Sequence, residues 1–160
     1  MRRSVPLLAC MIITLAAVTL PALSRGDFDR VVDFSVTLKT LAAAAEGKAP
    51  LPSGKMLLLS GTVSEVDILN KDEKSFKARI ELIAGEWIGL EDVKAYTCYV
   101  EFSGPDFFRV FPARAPRTVT PNVITMNTRV VVVCSPIDIV DTPQGEKRVR
   151  AAGVYVRAIE

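Results

Sequence analysis

The chain has 160 residues, about the length of one domain, and its composition (49% apolar, 24% charged) excludes a disordered or collagen-like protein. It contains no histidine, which excludes Ser-His-Asp and Cys-His catalytic sites and zinc sites built on imidazole. The net charge of +2 comes from Arg2 and Arg3 alone, so the rest of the chain is neutral, lacks the cation surplus that phosphate binding draws on, and is not expected to bind nucleic acid.

The first 24 residues have the order of an export signal. The two arginines precede an almost wholly apolar segment, Val5–Pro21, and Ala22-Leu23-Ser24 places small residues where a signal peptidase reads them. This order predicts cleavage between Ser24 and Arg25 and a periplasmic or secreted location. The alternative is an uncleaved inner-membrane anchor, because the stretch from Val5 to Ser24 carries no charge and is long enough to cross a bilayer. Contact with a membrane is expected only in that case.

A helix is predicted from Asp27 or Asp29, either of which can cap it, to about Glu46. Its apolar residues recur at spacings of three and four and therefore share one face: Val31, Phe34, Leu38, Leu41 and Ala45. Gly47 is a natural end for this helix, and the Pro-containing segment 49–54 indicates a linker.

From Lys55 onward the apolar residues alternate with polar ones, which predicts strands. Five are expected: Met56–Leu69, Ser75–Ile83, Ala95–Phe102, Arg129–Val140 and Arg148–Ile159. The first is long and is expected to bend at a bulge near Gly61, and the last to bulge at Gly153. The longest connection, Ser103–Thr128, separates the third strand from the fourth.

This order of strands is typical of an OB-fold, a five-stranded Greek-key barrel. The predicted fold class is therefore mainly β, with one amphipathic N-terminal helix before the barrel. An open antiparallel sheet covered on one face by that helix is the alternative. The chain divides into a signal peptide or anchor (1–24), a helix and linker (25–54) and the barrel (55–160).

If Cys10 leaves with the signal, Cys98 and Cys134 remain. An oxidising compartment favours a disulfide between them. In the OB topology, however, one strand lies between the two cysteine strands, which separates the backbones by about 10 Å, beyond the ~7 Å that a disulfide allows. Two reduced thiols, buried as small apolar groups, are therefore predicted.

Three short segments resemble the exported bacterial OB-fold proteins of the tRNA-anticodon-binding-like group: Leu59-Ser60-Gly61-Thr62-Val63, Tyr96-Thr97-Cys98-Tyr99-Val100-Glu101-Phe102, and Arg129-Val130-Val131-Val132-Val133-Cys134. The resemblance covers about Asp27 to Glu160 and implies a small envelope protein with an OB barrel. It carries over no catalytic residue. The Pro- and Arg-bearing stretch after the third strand departs from the group.

The outward face of the second and third strands is the first candidate site, because OB-folds commonly bind oligonucleotides or sugars there. Lys77, Arg79 and Tyr99 combine cations with a stacking ring, while Glu81 and Glu101 on the same face offset the charge. An ordinary solvated face is the alternative interpretation.

Two further candidates follow along the chain. Trp87, after the second strand, indicates either recognition or packing at the end of the barrel. The stretch with Phe107, Phe108 and Arg109, followed by Arg114 and Arg117, suits an anionic or protein partner. The alternative is that the phenylalanines close the open end of the barrel and the arginines face water.

No catalytic site is predicted, because the carboxylate pairs are sequence neighbours whose side chains diverge, and because no Gly-x-Ser-x-Gly, phosphate-binding Gly-Lys-Ser/Thr or Cys-x-x-Cys motif occurs. No cofactor and no metal are expected. The favoured function is a non-catalytic, exported OB-fold module that binds a protein or polymer of the cell envelope. The alternative function is a binder of single-stranded nucleic acid or acidic polysaccharide on the outer face of the second and third strands.

Overall fold

The computed structural model of the protein describes residues 25–89, 92–113 and 122–159. In chain order the elements are α1 (Arg25–Val31), β1 (Val32–Asp33), α2 (Leu38–Ala45), β2 (Met56–Asn70), β3 (Lys77–Ile88), β4 (Asp92–Ser103), a 3-10 turn (Pro105–Phe107), β5 (Arg129–Asp141) and β6 (Lys147–Ala158). The predicted signal segment, with Ser24, lies outside the described residues. Within them, no helix has the length and apolar character needed to cross a membrane.

The five long strands close into a barrel. β2 pairs antiparallel with both β3 and β5, β3 pairs with β4, β4 runs parallel to β6, and β6 pairs with β5. This order is that of the OB-fold, so the predicted fold class is confirmed. Because β2 joins both ends of the sheet, the open-sheet alternative is excluded. The sheet has six strands rather than five, since the two-residue β1 pairs with the start of β2.

Closure of the barrel depends on the bend in β2. Up to Thr62 this strand pairs with β5, and from Thr62 onward it pairs with β3, with a register shift between Val63 and Glu65. The predicted bulge thus follows Gly61 by a few residues. Gly61 itself is required by close packing: a Cβ there would lie 2.8 Å from the carbonyl oxygen of Ile83.

The barrel interior is filled by the alternating residues predicted to face inward. Ile80, Val100 and Phe102 are fully buried. α2 closes one end of the barrel with Leu41, and the connection after β4 closes the other. The side chains at that second end are aromatic or aliphatic: Phe76, Phe102, Phe107, Phe111 and Ile124. Apolar burial of this kind supplies most of the stability of a small domain.

The prediction of a single N-terminal helix from the periodicity is wrong. Asp33 interrupts it, because its carboxylate accepts hydrogen bonds from the backbone N–H (2.8 Å) and the hydroxyl (2.7 Å) of Ser35. The chain restarts as α2 at Thr37, whose hydroxyl caps the new helix. As a result Val31 and Phe34, predicted on the buried face, are about half exposed.

The two cysteine thiols are unbridged and buried within the core. Cys98 lies on β4 and Cys134 on β5, with β6 between these strands. Burial raises the pKa of the Cys134 thiol to about 12 and also raises that of Cys98. Neither thiol is therefore a nucleophile near neutral pH, and both act as small apolar side chains.

The bulge at Gly153 gives a test of the barrel packing. A Cβ at this position would lie 2.2 Å from Cε1 of Phe102, whose ring is enclosed by Phe107 and Phe111 at centroid distances of 4.9 and 5.0 Å. We expect Gly153→Ala to lower the free energy of unfolding by at least about 1–3 kcal/mol, the usual cost of overpacking, measured by urea denaturation.

Gly85→Ala is the matched control for this substitution. A Cβ at Gly85 would meet only Cγ1 of the exposed Val93, at 3.1 Å. We expect a change of no more than about 0.5 kcal/mol, as for ordinary surface substitutions. Equal unfolding midpoints for the two variants would contradict the packing of Phe102 against β6.

Candidate functional site

The outer face of β3 and β4 has two halves of different chemistry. Going along the hairpin, the cross-strand pairs on this face are Arg79–Glu101, Glu81–Tyr99, Ile83–Thr97, Gly85–Ala95 and Trp87–Val93. We call the first two pairs, with their neighbours on β2 and β6, the ion-pair half. The other three pairs form the apolar half.

Tyr99 is the centre of the ion-pair half. The guanidinium carbons of Arg79 and Arg148 lie 4.8 and 5.4 Å from the centroid of its ring, and Arg148 Nη1 donates a hydrogen bond of 3.3 Å to its hydroxyl. Only 8% of Tyr99 is exposed. The ring that the sequence suggested as an open stacking surface is therefore already covered by two cations of the same chain.

Each arginine of this half is bound by carboxylates. Arg79 contacts Asp67 at 2.7 Å. Arg148 pairs with Glu81, whose carboxylate also accepts a 2.6 Å hydrogen bond from Ser64, and with Glu146 at 3.0 Å.

Arg150 completes the network. It makes a two-pronged contact with Asp138 at 2.9 and 2.6 Å and lies 3.6 Å from Glu101. Taken together, three guanidinium groups of the ion-pair half meet five carboxylates. A phosphate entering here would have to displace these partners and would meet their excess negative charge. Lys77 is exposed at the border of this half.

The apolar half is open to solvent. Trp87 is 72% exposed and its cross-strand partner Val93 is 53% exposed. Between them and Ile83 lie Gly85 and Ala95, which carry no side chain larger than a methyl group, and Cγ1 of Val93 leans toward Gly85. No carboxylate belongs to the three cross-strand pairs of this half.

The hairpin that carries Trp87 is fixed to α2 by its other face. Glu86 accepts hydrogen bonds from Lys39 Nζ (2.9 Å) and from the Tyr96 hydroxyl (2.7 Å). The hydrogen bond from Lys39 holds the pKa of the Glu86 carboxyl below its ordinary value, while Glu86 raises the pKa of Tyr96. These contacts hold in place the strand on which the tryptophan stands.

An open cleft of about 920 Å³ lies next to the apolar half. It forms because β4 and β6 pair only at Tyr99–Glu101 and diverge before that point. Its floor is the alanine-rich end of α2, and Thr97 stands on one wall. Its charged lining residues, among those described, are three cations and three acids: Lys48, Lys147, Arg148, Glu46, Asp141 and Glu146.

The aromatic segment after β4 is a plug at the end of the barrel rather than part of this face. Phe107 is half-buried against Phe102, whereas Phe108 is 37% exposed and meets Phe76 edge-to-face at 5.6 Å. Arg109 is exposed, while Arg114 and Arg117 lie outside the described residues. Within the part of the chain that is described, no group of three or more acidic or cysteine side chains is placed to hold a metal ion.

Three of the solved structures that resemble this fold are single-stranded DNA-binding proteins. The small one from Streptomyces coelicolor is 13% identical, with a TM-score of 0.39, over 65% of this chain and 91% of that one. The Plasmodium falciparum protein in complex with single-stranded DNA is 13% identical, with a TM-score of 0.42, over 70% and 100%. The mitochondrial protein from S. cerevisiae is 6% identical, with a TM-score of 0.36, over 69% and 98%. No protein-family profile matches the sequence, and no curated protein is detectably similar to it.

The expectation that excludes nucleic acid as a partner is wrong. That expectation rested on a net charge summed over the whole chain. Recognition depends instead on the local face that meets the ligand, and base stacking needs no surplus of cations. Global neutrality is therefore no ground for excluding this class of ligand.

The Asp138–Arg150 pair predicts a contribution to stability that depends on pH. Hydrogen bonds from Arg150 hold the pKa of the Asp138 carboxyl below its ordinary value of 3.8. A depressed carboxyl pKa stabilises the fold above the unfolded-state pKa, and this contribution is lost as the pH falls through the folded-state value. Arg150→Gln should therefore lower the free energy of unfolding more at about pH 7 than at about pH 2.

Arg157→Gln is the control for this prediction. Arg157 is exposed on the same strand and forms no ion pair with a described residue. Urea denaturation should show the same small effect of Arg157→Gln at both pH values. A pH-independent effect of Arg150→Gln would show that the Asp138 pair does not act through its charge.

Proposed function

We propose that this protein is a non-catalytic OB-fold module that binds single-stranded nucleic acid on the apolar half, with Trp87 as the stacking platform. The observation that carries the proposal is the 72% exposure of this indole on the face that OB-folds use for linear ligands. A tryptophan is usually largely buried, so one standing in water on a well-anchored strand is a feature that packing does not explain.

The shape of the apolar half suits the flat face of a base. The residues beside Trp87 on this face are small, Gly85 on its own strand and Ala95 on β4, and its cross-strand partner Val93 is apolar. Stacking of this kind contributes about 1–3 kcal/mol per base and tolerates any sequence, because every base has a π-face.

The ion-pair half limits the path that a bound nucleic acid strand can follow across the surface. Its carboxylates disfavour phosphates over Tyr99, so the backbone of the nucleic acid would follow the cleft beside the apolar half, where Lys48 and Lys147 stand among Glu46, Asp141 and Glu146. Because Lys48 already pairs with Glu46 and the other carboxylates offset the remaining positive charge, few counterions are released on binding. We therefore expect a shallow dependence of affinity on salt.

Trp87 is the only tryptophan of the chain, so its fluorescence reports the site directly. We expect oligo(dT) to quench this emission on binding. With a dye-labelled oligonucleotide and anisotropy as the readout, Trp87→Ala should weaken binding by about tenfold, which corresponds to ~1.4 kcal/mol of stacking.

Tyr155→Ala is the matched control for Trp87→Ala. Tyr155 is a half-exposed aromatic residue on β6, paired with Val133 of β5 and away from the outer face of β3 and β4. Its removal should leave the affinity unchanged. Equal losses for the two variants, or no quenching by oligo(dT), would overturn the proposal. Quenching by an acidic polysaccharide but not by oligo(dT) would show that the site binds acidic polysaccharide, the second candidate ligand, and not nucleic acid.

We also propose that the chain is exported and cleaved after Ser24. The basic, apolar and small-residue order of residues 1–24 supports this proposal, as does the resemblance to exported OB-fold proteins. Intact-mass measurement of the protein from its native host should then give a chain that starts at Arg25. A full-length mass in the membrane fraction would favour the uncleaved anchor instead.

A further inference from the structure

A second pocket lies at the end of the barrel that the aromatic plug closes, apart from the Trp87 face. It has a volume of about 350 Å³, within the range of small-molecule sites. Its walls are mainly apolar and it is open to solvent on one side. The lining residues that matter here are Lys71, Phe76, Phe108, Arg109 and Phe111.

The apolar walls of this pocket are held in place by the core. Phe76 and Phe111 are 2% and 1% exposed, and Phe111 packs on Phe102 at a centroid distance of 5.0 Å. The plug segment is fixed by backbone hydrogen bonds from Phe111 N–H to Phe107 (3.1 Å) and from Ile124 N–H to Val110 (2.8 Å). The pocket is therefore formed before any ligand enters.

Among the described residues that line the pocket, the charged ones are both cations. Lys71 comes from the β2–β3 turn and Arg109 from the plug, both are exposed, and no acidic side chain belongs to this described lining. The nearest acid in sequence, Asp72, is used within its own turn, where it accepts hydrogen bonds from Lys74 N–H (3.0 Å) and Ser75 N–H (3.1 Å).

We propose that this pocket binds a small amphipathic anion, with an apolar chain against the phenylalanines and an anionic head between Lys71 and Arg109. Two cations beside an apolar wall complement such a molecule, because the head exchanges water for charge-assisted hydrogen bonds while the chain leaves water. A neutral molecule with the same apolar chain gains only the free energy of removing that chain from water. The proposal does not depend on nucleic acid binding by the Trp87 face.

The probe for this proposal is decanoate, below the concentration at which it forms micelles, with decyl glucoside as the neutral comparison. Isothermal titration of the full chain should show one saturable site for decanoate and at least tenfold weaker binding of the glucoside. Amide chemical shifts should move at residues 68–76 and 107–113. Trp87 fluorescence should stay constant, which separates this site from the one on the outer face.

Variants of the exposed cations test the head group without disturbing the core. Lys71→Gln and Arg109→Gln should each weaken decanoate binding by about tenfold and leave the glucoside unaffected. Lys74→Gln is the matched control, since Lys74 lies in the same turn but does not line the pocket. Phe108→Ala should weaken both probes, because it removes part of the apolar wall.

Three results would overturn the proposal. Equal affinity for decanoate and decyl glucoside would show that Lys71 and Arg109 do not bind the carboxylate of decanoate. Wild-type affinity in both Lys71→Gln and Arg109→Gln would show that the head lies elsewhere. An absence of saturable decanoate binding to the folded wild-type chain would show that the pocket is only a packing gap.

Discussion

The fold depends on one strand that pairs with two neighbouring strands. β2 closes the barrel because its first half pairs with β5 and its second half with β3, and the chain must turn between the two at Gly61 and the bulge after it. A side chain at Gly61 would collide with the backbone of β3, so the turn is possible only with glycine there. Without this closure, β3 and β4 would be the middle of a flat sheet and not the curved outer wall of a barrel.

The strand order also decides which surfaces are left for ligands. Because β2 pairs with β3 and β6 pairs with β4, Asp67 reaches Arg79, and Glu81 and Tyr99 reach Arg148. These groups satisfy one another across four strands. Individually exposed ion pairs add little stability, but a connected network fixes side-chain positions and uses up the charges that a ligand would need. The half of the outer face beyond the network, where the strands leave the barrel as a hairpin, is the part that remains open.

The sequence predicted the barrel better than the sites. Alternation in a half-buried strand is a local signal, so the inward residues of β3 and β4, such as Ile80 and Val100, could be identified from their spacing. The break at Asp33 could not, because helical spacing continues through it, and the pairing of Val32 with Met56, which joins the chain to β2 there, is not visible in a local pattern. The ion-pair network joins residues up to 67 positions apart, as between Arg148 and Glu81, and no local pattern reports such a contact. The alternation of Arg148 and Arg150 on the last strand is a local signal that could have assigned both arginines to one face.

The position of the single tryptophan also decides how folding of this protein can be observed. An indole that is mostly in water in the native state already emits as it would in the unfolded chain, so its emission carries little information about the core. Tyr96 and Tyr99, both 8% exposed and held beside charged groups, occupy the asymmetric surroundings that produce a near-ultraviolet dichroism signal. Loss of that signal follows the barrel itself, whereas tryptophan emission follows only the hairpin and whatever it touches.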